Sequence, residues 1–97
     1  MKSEHMELRN IQRVYLAGIG GIGMSGLARY FAHLGCIVCG YDKTATDLTI
    51  AMQNEGMQII YDDRADFIPM SFQQPCDSTL IIYTPAMPKD SAIMAYF

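Results

Sequence analysis

Long apolar runs are missing from this 97-residue sequence. None approaches the roughly 20 residues needed to span a bilayer, so no membrane role is expected. The N-terminus carries no apolar signal region either: Met1 to Arg13 is polar, and no secretory signal is read there. Positive charge is scarce. Seven Lys and Arg against ten Asp and Glu leave a net charge of −3. Non-specific nucleic-acid binding needs a basic face to displace counterions, so it is excluded as an expectation. Cysteine is sparse and odd in number: Cys36, Cys39 and Cys76. That count, without a signal, suits a reducing cytoplasm better than a disulfide scaffold. Cys36 and Cys39 spell C-x-x-C, but they bracket a stretch that reads as a buried strand. Positions three apart on a strand face opposite ways, so the two are expected as core residues, not as a zinc or disulfide pair. A catalytic set is also absent. His5 lies in the leader and His33 on a polar helix face. The adjacent Asp62 and Asp63 read as a solvated loop pair. No Ser–His–Asp order, metal-spaced ligand set or buried carboxylate pair stands out, and no internal repeat.

What is present is enough for one core. Hydrophobic residues make up 51%, and a chain this size buries roughly 65% of the surface its unfolded form exposes. The eight methionines occupy apolar positions and read as core filler. Residues 1–12 are expected as a leader and 13–97 as one domain. Arg13 to Gly18 is a first apolar run ending at glycine. Met24, Leu27, Ala28, Phe31 and Leu34 then recur at helical spacing, with Ser25, Arg29 and His33 on the opposite face. Gly35 sits where a helix C-terminal glycine belongs. Cys36 to Tyr41 is a second strand. A second helix is capped by Asp47 and stopped by Gly56. Met57 to Tyr61 is a third strand. A polar stretch from Asp62 to Asp77 follows, broken by Pro69 and Pro75, with a short helix around Ala65 to Ile68. Thr79 to Tyr83 is a fourth strand, and a last helix starts near Asp90. The strands are continuously apolar and alternate with helices. The expected fold is therefore α/β and Rossmann-like: a three-layer parallel sheet of four or five strands with helices on both faces. Such sheets often have five or six strands, so the chain reads as part of a longer protein. Its oligomeric state is not legible.

Gly18-Ile19-Gly20-Gly21-Ile22-Gly23 matches G-x-G-x-x-G between a strand and a helix, the context that motif needs. In that pattern the first glycine permits a tight turn, the second lets the backbone approach a diphosphate, and the third lets the helix pack on the sheet. The phosphates sit on free N–H groups at the positive helix end, so an acidic chain can hold an anion without a basic patch. Gly21-x-Gly23-x-x-Gly26 matches equally well, and the register stays open, as does a plain tight turn. The stretch is not a P-loop, because Met24 stands where lysine would hold a γ-phosphate. ATP hydrolysis at this loop is excluded.

Asp42 ends the second strand, about 20 residues past the glycine turn, where a carboxylate takes a ribose hydroxyl and disfavours a 2′-phosphate. A helix cap or solvated turn is the alternative. Lys43 reads either as a turn charge or as an attraction for phosphates. Strands one and four should flank the switch point of the sheet, where ligands bind. There the turn from Tyr83 to Pro88, with the Thr84 hydroxyl and two stiffening prolines, either forms a second cleft wall or is simply a turn.

The stretch Val14 to Ala28 (VYLAGIGGIGMSGLA) resembles the opening of the Mur ligases. Its Gly-Met-Ser-Gly-Leu-Ala continuation is far more specific than the glycine motif alone. Gly40-Tyr41-Asp42, Leu48-Thr49, Glu55-Gly56 and Tyr83 to Pro88 match further stations in the same order. Within the family the likeness is greatest to the branch that joins L-alanine to UDP-N-acetylmuramate in peptidoglycan biosynthesis. The resemblance implies a three-domain ligase of which this chain is the N-terminal, UDP-binding part. It implies UDP binding by Gly18 and a diphosphate cradle formed by Gly20, Gly21, Ile22, Gly23, Met24 and Ser25. Asp42 would approach the uridine, Lys43 counts among the UDP-binding residues, and Thr84 would line the ribose and phosphate side. It implies ATP, magnesium and L-alanine sites in the other domains, and no chemistry in these residues. Two stations depart from the pattern. Many members carry histidine near Asp63, so no contact is carried over there. Many have Ser-Ser where Thr84-Pro85 stands, leaving one hydroxyl. A sibling ligase that recycles muropeptides would read alike, and an NAD-binding module is the competing class.

Overall fold

The computed structural model describes residues 11–69, 72, 78–85 and 87–97. Most of the expected leader with His5, the break at Pro75, Cys76 and Ala86 lie outside the described residues. The elements are β1 (Arg13–Ala17), α1 (Ile22–His33), β2 (Ile37–Tyr41), α2 (Asp47–Asn54), β3 (Gln58–Ile60), a 3-10 turn (Ala65–Phe67), β4 (Thr79–Tyr83) and α3 (Ala92–Tyr96). The sheet has four parallel strands in the order β3-β2-β1-β4. The α/β expectation therefore holds, with four strands.

The strands are continuously apolar because both faces are covered. Val14, Leu16, Val38 and Ile59 face one way, onto Ala28 and Phe31 of α1 and Met52 of α2. Tyr15, Cys39 and Tyr41 face the other way, onto Ile68, Phe72 and Ile93 of α3. Cys36 packs on the first cluster and Cys39 in the second, on opposite faces as expected. Burial pushes the Cys39 thiol up to about 11, which keeps it in the unreactive protonated form. The folded unit starts before Arg13: Ile11 is buried in the α1-side cluster, and the Gln12 carbonyl accepts from Ile37 N at 2.9 Å.

Local signals explain where the helices end. Gly35, at φ +90°, closes α1. Gly35 N donates to Ala32 O and Cys36 N to Phe31 O, the double bond pattern of a Schellman motif. The same pair closes α2, from Gly56 N to Gln53 O and from Met57 N to Met52 O.

Several expectations change. Thr46, not Asp47, caps α2. Its hydroxyl accepts from Thr49 N at 3.1 Å, and its own N–H donates to Thr49 Oγ1 at 2.8 Å, a capping box built from two threonines. The buried stripe of α1 is Ser25, Ala28 and Phe31, whereas Leu27 and Leu34 are 42% and 49% exposed. The two small residues let the helix settle close on the sheet and turn the larger ones outward. Asp63 is not merely solvated. Its Oδ1 accepts from Ser91 Oγ at 2.9 Å and from Ile93 N at 2.8 Å, tying the loop after β3 to the start of α3. Ser91, not Asp90, is the cap of that helix.

Candidate functional site

The register of the sheet assembles the site. Ala17 pairs with Tyr41 on one side and with Tyr83 on the other. The next residue of each strand is Gly18, Asp42 and Thr84, so these three stand side by side at the carboxyl edge. β1 and β4 flank the reversal of strand order, the place where open α/β sheets bind ligands.

Gly18 makes the first turn. Its φ of +94° is one that side chains rarely adopt, and a Cβ there would collide with the Thr84 methyl. Gly18 N and Ile19 N both donate to Tyr41 O, at 2.7 and 2.9 Å, and Gly21 N donates to Gly18 O at 3.1 Å. Gly20 N donates to Asp42 Oδ2 at 2.7 Å. The amides of residues 18 to 21 are thus all engaged within the protein.

The donors that remain lie further on. Gly21 is the N-cap of α1 and has no side chain to cap it. The N–H groups of Ile22, Gly23 and Met24 have no carbonyl to meet inside the helix. They point outward from its positive end. A Cβ at Gly23 would meet nothing within 4 Å, and the same holds at Gly26. This corrects the expected role of the third glycine. In neither register does it let the helix approach the sheet. The tight approach is at Gly40 on β2, where a Cβ would stand 2.6 Å from Leu16 O and 2.8 Å from Ile19 Cδ1. Gly23 instead sits among the uncapped amides with open space around it.

The other expected residues fall as follows. Ile22 projects into solvent at 92% exposure. Met24 packs at the border of the core. Ser25 is buried, and its hydroxyl donates to Ile22 O at 2.9 Å, so it is turned inward and away from the cleft. Asp42 is half-buried, and its second oxygen, Oδ1, accepts from Thr44 N at 3.1 Å. Lys43 beside it is exposed. Thr84 is half-buried opposite Gly18, and Thr84 O accepts from Met87 N at 3.1 Å, which closes the turn after β4. His33 is exposed on α1 as expected.

Sequence reading missed the floor of this site. Thr49 is fully buried beneath the glycine turn, with its methyl 3.0 Å from the place of a Cβ at Gly20. Tyr61 Oη lies 2.9 Å from Thr49 Oγ1 and 3.1 Å from Gln53 Oε1. The Thr46-x-x-Thr49 spacing was the available signal. Among the described residues no three metal-ligating side chains gather, and no helix is long and apolar enough to cross a membrane.

This geometry can hold an anion on backbone amides, between a carboxylate on one side and a hydroxyl-bearing turn on the other. Residues 13–97 match the family model described as "Mur ligase family, catalytic domain". A UDP-N-acetylmuramate--L-alanine ligase of Cytophaga hutchinsonii is 50% identical over 92 residues, covering 95% of this chain and 20% of the relative. Proteins of the same name from Porphyromonas gingivalis (48% identical, 90% of this chain and 19% of the relative) and Christiangramia forsetii (46%, 87% and 19%) are similar. The chain spans about a fifth of the length of these relatives. A glycine turn at the switch point of a parallel sheet, matched together with nearly all of its surrounding sequence, assigns the chain to the Mur ligase family.

Proposed function

We propose that residues 13–97 form the UDP-binding domain of a UDP-N-acetylmuramate–L-alanine ligase and hold the uridine diphosphate end of its substrate. The observation that carries this is the set of uncapped amides at Ile22, Gly23 and Met24 under the open space at Gly23. They offer a diphosphate donors without a basic patch, in keeping with the acidic chain. Thr84 lines the ribose and phosphate side, Lys43 adds a nearby positive charge, and Asp42 borders the uridine side. Gly18, Gly20 and Gly21 shape the turn, while Ser25 supports it from below.

In the whole ligase, ATP phosphorylates the muramate carboxylate to an acyl phosphate. The amine of L-alanine then attacks that carbonyl, forming the amide with loss of phosphate. The residues here do not fit ATP and magnesium: Met24 takes the place of a phosphate-binding lysine, and no group of ligands gathers among the described residues. No step is therefore derived through them. Their part is to fix the substrate, which supplies the proximity component of catalysis. The ATP requirement of the whole ligase and the free cysteines support a cytoplasmic location.

The test is thermal unfolding of the chain with UDP-N-acetylmuramate, UDP, NAD or ATP. A ligand at 100 times its dissociation constant adds about 2.7 kcal/mol to stability. A higher melting temperature with both uridine nucleotides and none with NAD or ATP is expected. A rise with NAD alone overturns the reading and favours a dinucleotide-binding module.

A further inference from the structure

We propose that Asp42 is a positioning residue, acting on a bound diphosphate through the Gly20 amide. This rests on the reading of the site given above.

Two ties clamp Gly20. Asp42 Oδ2 accepts from Gly20 N at 2.7 Å while Oδ1 accepts from Thr44 N at 3.1 Å. One carboxylate thus joins the glycine turn to the connection between β2 and α2. The second tie is apolar: the Thr49 methyl lies against Gly20, and Thr49 is itself fixed by the capping box and by the Tyr61 hydroxyl. A carboxylate bound to a backbone N–H is a charge-assisted bond, stronger than a neutral one. It keeps the Gly20 amide turned inward. The turn then enters α1 in the one orientation that leaves Ile22, Gly23 and Met24 facing the cleft.

The proposal predicts a sign opposite to simple electrostatics. A carboxylate near an anion site repels the anion, so its removal alone should tighten binding. If Asp42 holds the turn, its removal weakens binding instead. A ribose contact would also weaken binding, but only for ligands that carry the ribose hydroxyls.

The experiment measures, by calorimetry, the binding of UDP and 2′,3′-dideoxy-UDP to the chain and to its Asp42→Ala and Asp42→Asn variants. Hydrogen exchange at the Gly20 amide is followed by NMR. Asp42→Ala is expected to weaken both ligands by about tenfold or more, equally, as loss of a charge-assisted bond allows. Asp42→Asn, whose carboxamide oxygen still accepts from Gly20 N, should recover most of the loss. The Gly20 amide should exchange faster in Asp42→Ala and remain slow in Asp42→Asn. Tighter UDP binding by Asp42→Ala overturns the proposal. So does dideoxy-UDP binding to the unaltered chain as weakly as UDP binds Asp42→Ala, because that makes Asp42 a ribose contact. If the unaltered chain binds no UDP, the functional reading fails. Gly20 exchange then decides the positioning role, and a rate unchanged in Asp42→Ala overturns it.

Discussion

Replacing Gly23 by alanine separates what the helix wants from what a ligand wants. Gly23 lies in the first turn of α1 and its φ is not positive. A Cβ built there meets nothing within 4 Å. Nothing inside the protein therefore requires glycine. Glycine at a position that alanine can adopt costs about 0.4–1 kcal/mol, mostly through the unfolded chain. Gly23→Ala should thus raise the melting temperature, by roughly 2–8 °C for a domain of this size. The ligand should register the opposite effect. The Cβ of a helical residue leans toward the N-terminus, so the new methyl stands over the amides of Ile22, Gly23 and Met24. Crowding a close contact with one methyl costs about 1–3 kcal/mol, or roughly five- to hundredfold in UDP affinity. Gly26→Ala serves as the control. The space there is equally open, but the methyl sits about 4.5 Å further along the helix. That variant should be stabilised with little change in UDP affinity. Differential scanning calorimetry with and without UDP reads both quantities. Gly23→Ala binding UDP as well as the unaltered chain would refute the close approach of a diphosphate. A fall in its melting temperature would refute the open space.

Other perturbations probe the frame around the site. Thr46→Ala should cost about 1 kcal/mol by removing the cap of α2, and Asp47→Ala distinctly less, since Asp47 contributes through the helix dipole alone; chemical denaturation compares the two. The Tyr15 hydroxyl is fully buried with no hydrogen-bond partner among the described residues, and burial pushes its pKa well above the usual phenol value. Tyr15→Phe should therefore leave stability unchanged or raise it, and a loss above about 1 kcal/mol in urea melts would show that the hydroxyl is paired after all. Arg29 meets Glu55 in a two-pronged ion pair, at 3.0 and 2.8 Å, that joins α1 to the end of α2. Its hydrogen bond to Arg29 holds the Glu55 carboxyl below its usual range. The pair's contribution is therefore present above the ordinary glutamate value and is lost as pH falls through the lowered one. The unaltered chain and Glu55→Gln should differ slightly in melting temperature at neutral pH and converge in acid or in about 1 M salt.

The order of elements was readable because each signal was local. Four apolar runs, a glycine just past each of the first two helices and a β1–glycine–α1 sequence follow from neighbouring residues alone. The errors arose where the decisive partner is remote. Helical spacing cannot show that α1 settles on Ser25 and Ala28 and leaves Leu27 outside, because that depends on the width of the sheet beneath. Asp63 looked solvated because Ser91 and Ile93, which donate to it, lie 28 and 30 residues away. Aspartate is a common cap, which favours Asp47 on sequence alone, but the hydroxyl at Thr49 completes a capping box with Thr46.

The glycine turn shows the same limit most sharply. The motif suggests where an anion would sit, but which of its amides are engaged is settled elsewhere in the chain. Tyr41 O takes two of them and Asp42 takes a third. Thr84, far along the sequence, is what forbids a side chain at Gly18. The glycines are thus needed for different reasons: Gly18 for its turn and for Thr84, Gly20 for Asp42 and Thr49, and Gly23 for nothing inside the protein. A residue type that disfavours a helix, held where the fold has no use for it, points to something outside the fold. A phosphate is the kind of group that fits over uncapped helix amides, and Gly23→Ala tests the proposed diphosphate contact apart from stability.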